Sequence, residues 1–85
     1  MSIRILYFAR VREDVGMAQE MLDLDAQTRD VKGLREQLIA RGTPWSAAFA
    51  PGKAVRFAVN QDISRPDSAV RDGDEVAFFP PVTGG

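Results

Sequence analysis

The sequence contains neither cysteine nor histidine. Without cysteine the chain has no disulfide, no thiolate nucleophile and no side chain that could carry a persulfide. Without histidine it lacks the usual general base near neutral pH and a common metal ligand. Catalysis by carboxylates or lysine would need a dry, concave pocket, and a chain of 85 residues buries only one modest core. We therefore expect a protein that is not catalytic alone, with no bound cofactor and no bound metal.

Long hydrophobic runs and an excess of one charge are also absent. The chain has 11 Lys and Arg residues against 12 Asp and Glu residues, mixed along its length. No basic stripe indicates nucleic acid as a partner, and no apolar run approaches the roughly 18 residues that a membrane span needs. The first ten residues, MSIRILYFAR, lack the features of a signal peptide. These absences predict a cytoplasmic protein without a nucleic-acid or membrane partner.

Apolar periodicity predicts short strands around one clear helix. Asp30 is the expected N-cap of this helix, with Thr28 as an alternative start. Segment 10–16 indicates a turn or a short helical connection, and Thr43-Pro44 would cap and open a second, short helix. The apolar stripe of the main helix consists of Val31, Leu34, Leu38 and Ile39. The predicted strands cover residues 3–9, 17–25, 54–59, 62–64 and 74–79.

One amphipathic helix can cover only one face of these strands, which predicts an α+β fold with the helix packed across a mixed sheet of four to five strands. The crossover through the helix allows the first and last strands to pair in parallel. This is the β-grasp arrangement, and its other sheet face must meet solvent or a partner. We assign residues 1–79 to the β-grasp domain and residues 80–85 to an extended, reactive C-terminal tail.

The tail is the candidate reactive element. Six extended residues span about 20 Å, which is enough to enter another protein's active site. Two prolines stiffen its start and lower the entropy cost of ordering it, while the terminal glycines can pass a narrow channel. A partner could adenylate the terminal carboxyl group with ATP, after which a sulfur nucleophile would give a thiocarboxylate on the main chain. The tail reads Pro80, Pro81, Val82, Thr83, Gly84 and Gly85.

Three stretches resemble the small subunits of molybdopterin synthase, the MoaD family. These are the ending DGDEVAFFPPVTGG at 72–85, the opening at 5–16 with Ile5 to Glu13 and Gly16, and Val59-Asn60-Gln61. The resemblance implies a ubiquitin-like β-grasp protein of molybdenum cofactor biosynthesis.

The same resemblance implies how the terminal residues act. A ubiquitin-activating-like adenylyltransferase would consume ATP to activate Gly85, and a sulfur-donor enzyme would supply the sulfur. Gly84 would then thread through a channel of the large subunit of molybdopterin synthase. There the Gly85 thiocarboxylate would give its sulfur to a pyranopterin precursor to form molybdopterin, with the catalytic groups on the large subunit.

Strand parity predicts a partner surface on the open sheet face. Phe8 and Phe79 point away from the helix, and Ile63 of the very short strand could join them. The family uses this region to meet its partners, so the predicted interface also includes the tail. Its residues are Phe8, Ile63, Phe79, Pro80, Pro81, Val82 and Thr83. The alternative is that the aromatic residues only fill the shallow side of the sheet.

Two other functions stay open at this point. A thiamin-pathway sulfur carrier shares the fold and the Gly-Gly end, although those chains are usually shorter and lack the FFPPVTGG ending. A ubiquitin-like modifier would instead attach Gly85 to lysines of other proteins.

Neither Lys32 nor Lys53 is expected to be catalytic. The acidic residues Asp72 and Asp74, which flank a glycine, are expected to be turn residues.

Overall fold

The computed structural model describes residues 2–81, which form one five-stranded sheet with three helices. The strand order is β2-β1-β5-β3-β4, and β1 runs parallel to β5 while the other neighbours are antiparallel. The predicted α+β β-grasp fold is therefore confirmed. Along the chain the elements are β1 (Ser2–Tyr7), α1 (Ala9–Val15), β2 (Gln19–Asp23), α2 (Val31–Ile39), α3 (Trp45–Ala48), β3 (Arg56–Val59), β4 (Asp62–Ile63) and β5 (Glu75–Phe79).

The parallel pairing of the first and last strands forms the centre of the core. Ile5 lies beside Val76 and Tyr7 lies beside Phe78, and none of the four is more than 1% exposed. The Phe78 ring also packs edge-on against Phe49, with 5.0 Å between the ring centroids. The helices bury their apolar residues in this same cluster, so all three cover one face of the sheet. None of the helices in residues 2–81 has the length and apolar character needed to cross a membrane.

Helix α2 begins where the sequence predicts. Asp30 has extended backbone angles, and its side chain accepts a hydrogen bond from the Gly33 N–H at 2.8 Å. This bond satisfies one of the free N–H groups of the first turn. The side chains of Val31, Leu34 and Leu38 are fully buried against the sheet.

Of the two alternatives for segment 10–16, the short helical connection is confirmed. It is α1, which buries Val11 and Val15 and ends at Gly16 in the left-handed conformation. One local prediction needs correction: the N-cap of α3 is Pro44 rather than Thr43, and the Ser46 N–H bonds to the Gly42 carbonyl.

A partly buried polar network joins the end of β1 to β2, α3 and the segment after α2. The Tyr7 hydroxyl donates to Glu20 at 2.8 Å and accepts from the Trp45 indole N–H at 3.2 Å. Arg41 donates to both Glu20 oxygens, at 3.0 and 2.9 Å. Its guanidinium carbon also lies 4.6 Å from the Trp45 ring centroid. Sequence periodicity gave no signal for this network, because its members are far apart in the chain.

Tyr7 is the only tyrosine, so its ionisation can be followed without interference. Burial and the hydrogen bond to Glu20 raise the pKa of the Tyr7 hydroxyl well above its ordinary value of 10.0. The neutral phenol is thus favoured in the folded state, and its contribution to stability is complete below pH 10 and is lost as the pH rises further. We expect ultraviolet absorbance to show tyrosinate only when circular dichroism shows unfolding.

The variant Glu20→Gln provides the control for this titration. The change removes the carboxylate that accepts the hydrogen bond of the phenol and repels the phenolate. Tyrosinate should therefore form at a lower pH than in the parent chain. Half-ionisation of Tyr7 near pH 10 in the still-folded parent protein would contradict the assignment.

Candidate functional site

The sheet face opposite the helices carries a row of apolar side chains, in which Ala58 is buried and Leu6 and Ala77 are half-buried. Leu6 pairs with Ala77, Ala77 pairs with Ala58, and Ala58 pairs with Ile63 across four strands. Directly opposed residues project to the same side of a sheet, so this row crosses the open face. Ile63 at its edge is 68% exposed.

Two phenylalanines border this row where β1 and β5 end. Phe8 is extended, donates its N–H to the Phe78 carbonyl at 3.0 Å, and so continues the ladder beside Phe79. Its side chain is 47% exposed and that of Phe79 is half-buried. We call the set the open-face patch. It consists of Leu6, Phe8, Ile63, Ala77 and Phe79.

The structure thus brings the three predicted interface residues of the sheet, Phe8, Ile63 and Phe79, onto one face. Their role as an interface stays a prediction. Leu6 and Ala77 were missed, although the same two-residue alternation that selected Phe8 and Phe79 could have found them. Met21 on the edge strand β2 was also missed. It pairs with Arg4, shares the open face, and is 64% exposed.

The C-terminal segment starts at this patch. Strand β5 ends at Phe79, and Pro80 and Pro81 follow half-buried. Pro81 lines an open groove of about 370 Å³ between β3, β4 and the loop after β4. The groove is also lined by Ala54, Val55, Arg56, Phe57, Ile63, Ser64, Arg65 and Pro66.

The predicted reactive residues lie beyond this point. Val82, Thr83, Gly84 and Gly85 are outside the described residues. Their roles, and the division into residues 1–79 and 80–85, therefore stay predictions. What the structure describes is the place from which the segment leaves, at the edge of the open-face patch.

The charged groups near the patch differ in their partners. Arg4 and Glu75 stand on neighbouring strands of the open face, 3.9 Å apart. Arg65 lies 3.5 Å from Asp67, with both side chains more than 75% exposed. Arg56 pairs with Phe79 across β3 and β5, and it forms neither an ion pair nor a side-chain hydrogen bond within residues 2–81.

The acidic turn near the start of β5 has structural hydrogen bonds. Asp72 accepts from the Ser2 N–H at 2.7 Å, and Asp74 accepts from the Arg71 N–H at 2.7 Å. Residues 2–81 contain no group of three or more acidic side chains arranged to hold a metal ion. The pKa of Arg41, in the network with Tyr7, is raised by its hydrogen bond to Glu20.

The strand order and the helices on one face define a ubiquitin-like β-grasp protein. Comparison with known proteins gives the family. The ThiS family model matches residues 5–85, and the chain belongs to the ThiS family.

Three similar proteins illustrate this membership. The Escherichia coli molybdopterin synthase sulfur carrier subunit is 46% identical over 83 residues, which cover 98% of this chain and 99% of that protein. A structure described as a putative molybdopterin converting factor subunit 1 from Pyrococcus furiosus has a TM-score of 0.78 and 30% identity, covering 96% and 99% of the two chains. A complex of subunits 1 and 2 of the Helicobacter pylori molybdopterin-converting factor has a TM-score of 0.67 and 21% identity over both full chains, which supports the fold.

The exposed members of the patch should matter little for stability. We expect Ile63→Ser to change the free energy of unfolding by no more than about 0.5 kcal/mol, because the side chain gives up little buried area. By contrast, Phe78→Ala should cost about 3–5 kcal/mol, because it empties the centre of the core. Urea denaturation followed by circular dichroism measures both. A loss of 2 kcal/mol or so in Ile63→Ser would show that Ile63 serves the fold itself.

Proposed function

We propose that this chain is the sulfur carrier of molybdopterin synthesis and that the main-chain carboxyl group of Gly85 carries the sulfur. The observation that carries the proposal is the family match, which extends through Gly85 and includes a nearly full-length relative named as the sulfur carrier subunit of molybdopterin synthase. The absence of cysteine fits this assignment, because a thiocarboxylate needs no side-chain thiol. The chain is thus one subunit of an enzyme whose catalytic groups lie on another chain.

The chemistry proceeds in three steps. The Gly85 carboxylate attacks the α-phosphorus of ATP on an adenylyltransferase partner, and pyrophosphate leaves. Hydrosulfide delivered by a sulfur-donor enzyme attacks the acyl carbon, AMP leaves with the bonding electrons, and loss of a proton gives the thiocarboxylate. In the large subunit of molybdopterin synthase the thiocarboxylate sulfur displaces an oxygen substituent from a carbon of a pyranopterin precursor. Water then hydrolyses the acyl–sulfur bond, which leaves the sulfur on the precursor and restores the carboxylate of Gly85 for another cycle.

The geometry of the described residues supports action on a partner rather than within the domain. Four residues follow Pro81, and at roughly 3.3 Å each they can carry the terminal carboxyl group about 13 Å away from the groove. A partner that covers the open-face patch therefore stands where the segment leaves the sheet. Gly84 and Gly85, lacking side chains, suit a narrow channel in that partner.

The proposed partners are the proteins that would carry out these three steps. The open-face patch is the proposed contact for the large subunit and for the adenylyltransferase, used one after the other. The structure from Helicobacter pylori, described as a complex of subunits 1 and 2, supports a two-subunit assembly. ATP is consumed by the adenylyltransferase and is not a resident cofactor of this chain. We place these reactions in the cytoplasm, where ATP is available.

Intact-mass measurement tests the proposal. The chain is incubated with ATP, the adenylyltransferase of its own organism and a sulfur source. We expect the mass gain of one oxygen replaced by sulfur, located by fragmentation at Gly85. Deletion of Gly85, or addition of one alanine beyond it, should abolish the gain, because each moves or blocks the carboxyl group. Glu36→Ala, an exposed change on α2 on the helix side, serves as the control and should load normally.

The same reaction separates the alternative functions. Addition of the large synthase subunit and pyranopterin precursor should consume the thiocarboxylate and yield molybdopterin. Loading without this transfer would favour a thiamin-pathway carrier, and isopeptide conjugates of Gly85 with protein lysines would indicate a modifier. A Gly85-deleted chain that still gains sulfur would refute the proposed site.

A further inference from the structure

Arg56 is a cation placed within the apolar open face. It lies on β3 directly opposite Phe79 and two residues before Ala58, so all three project to the side away from the helices. It also lines the groove that contains Ile63 and Pro81. Any protein that covers both Ile63 and Phe79 must therefore come close to the Arg56 guanidinium.

This cation has no compensating charge on its own chain within residues 2–81. Arg56 forms no ion pair there, and the groove that it lines contains a second arginine, Arg65, but no acidic residue. The Arg65–Asp67 pair is almost fully exposed, and such pairs hold weakly. The net charge of the whole chain is −1, so the positive groove is a local feature and not a consequence of a basic protein.

Covering the patch changes the energetics of Arg56. A guanidinium that loses water without gaining a counter-ion is strongly disfavoured, whereas a carboxylate placed opposite it compensates the loss. A partner surface with a basic or purely apolar residue at that position would be rejected. Apolar contact through Phe8, Ile63 and Phe79 does not by itself distinguish one apolar partner from another, so the charge supplies selectivity.

We propose that Arg56, with Arg65 beside it, determines partner specificity by pairing with a carboxylate on the protein that covers the open-face patch. This inference rests on the proposed function, which makes the large synthase subunit that partner. The expected anion is a carboxylate, because a covering protein presents Asp and Glu side chains and both Arg56 and Arg65 are exposed to such a surface. Phosphate groups of a substrate or nucleotide would act at Gly85, up to about 13 Å beyond Pro81.

Binding measurements with the purified large subunit of the same organism test the proposal. We expect Arg56→Glu to weaken binding about tenfold or more, and Arg56→Gln about threefold to tenfold, mainly through loss of the charge pair. The control Arg29→Glu makes the same change of charge at an exposed site just before α2 and should bind like the parent chain. Added salt should weaken the parent complex more steeply than the Arg56→Gln complex. Circular dichroism confirms that each variant is folded.

Cross-linking identifies the partner group. A water-soluble carbodiimide joins amines to carboxylates in contact, so Arg56→Lys should form an isopeptide with an Asp or Glu of the large subunit. Arg29→Lys should form none at its own position. Peptide mapping by mass spectrometry distinguishes these products from cross-links at Lys32 or Lys53. Reversing the mapped carboxylate to lysine should restore binding of Arg56→Glu.

The contrary outcomes are distinct. If the parent chain and Arg56→Glu bind with equal affinity and equal salt dependence, the inference is wrong. Sulfur loading at Gly85 would still support the proposed function in that case. An effect of Arg56→Glu seen only when the pyranopterin monophosphate is present would assign Arg56 to phosphate and also overturn it. If the parent chain is neither loaded nor bound, both the function and the inference are wrong.

Discussion

The parallel pairing of β1 with β5 is the constraint on which the rest of the structure depends. It joins the two ends of the chain, with Tyr7 beside Phe78 more than 70 residues later in sequence. Because β5 lies in the middle of the sheet between β1 and β3, its last residue cannot drift relative to the body. The position from which the C-terminal segment leaves is consequently set by the core.

The same pairing sets the two faces of the sheet. Once Ile5 and Val76 point toward the helices, Leu6 and Ala77 must point away, since alternation in a strand leaves no other choice. The three helices supply apolar residues to one side only. The open face is therefore the reverse side of the sheet that carries the core, and no separate element is needed to build it.

Much of this could be predicted from sequence because it follows from local rules. Alternation located the strands and their faces, and Asp30 marked the start of α2 through capping chemistry. The parallel first and last strands followed from a single crossover helix. In contrast, segment 10–16 was left open between a turn and a short helical connection, since a seven-residue helix has too few turns to show a clear period. Its junction with β1 also places Ala9, which is not glycine, at a positive φ of 51°.

The interactions that sequence could not predict are those between side chains far apart in the chain. Tyr7 and Trp45 are 38 positions apart, and neither residue type signals a polar partner. The isolation of Arg56 is of the same kind. An outward arginine on a strand is ordinary in sequence. Only the register shows that Arg56 lies opposite Phe79, and only the structure shows that it forms no ion pair within residues 2–81. Sequence alternation predicts the sheet face to which a side chain points, whereas the residues that it contacts depend on how the strands are paired.

The two residues with raised pKa values, Tyr7 and Arg41, belong to one hydrogen-bond network. Strongly perturbed ionisable groups often mark catalytic sites, yet in residues 2–81 the shifted groups, Tyr7 and Arg41, belong to a network that ties β1 and β2 to α3. The network is on the helix side, since Tyr7 and its β2 partner Glu20 face the core, and it is separate from the open-face patch. In the proposed function other chains carry out the chemistry on Gly85, and this domain contributes a rigid body and the sheet face from whose edge the C-terminal segment leaves.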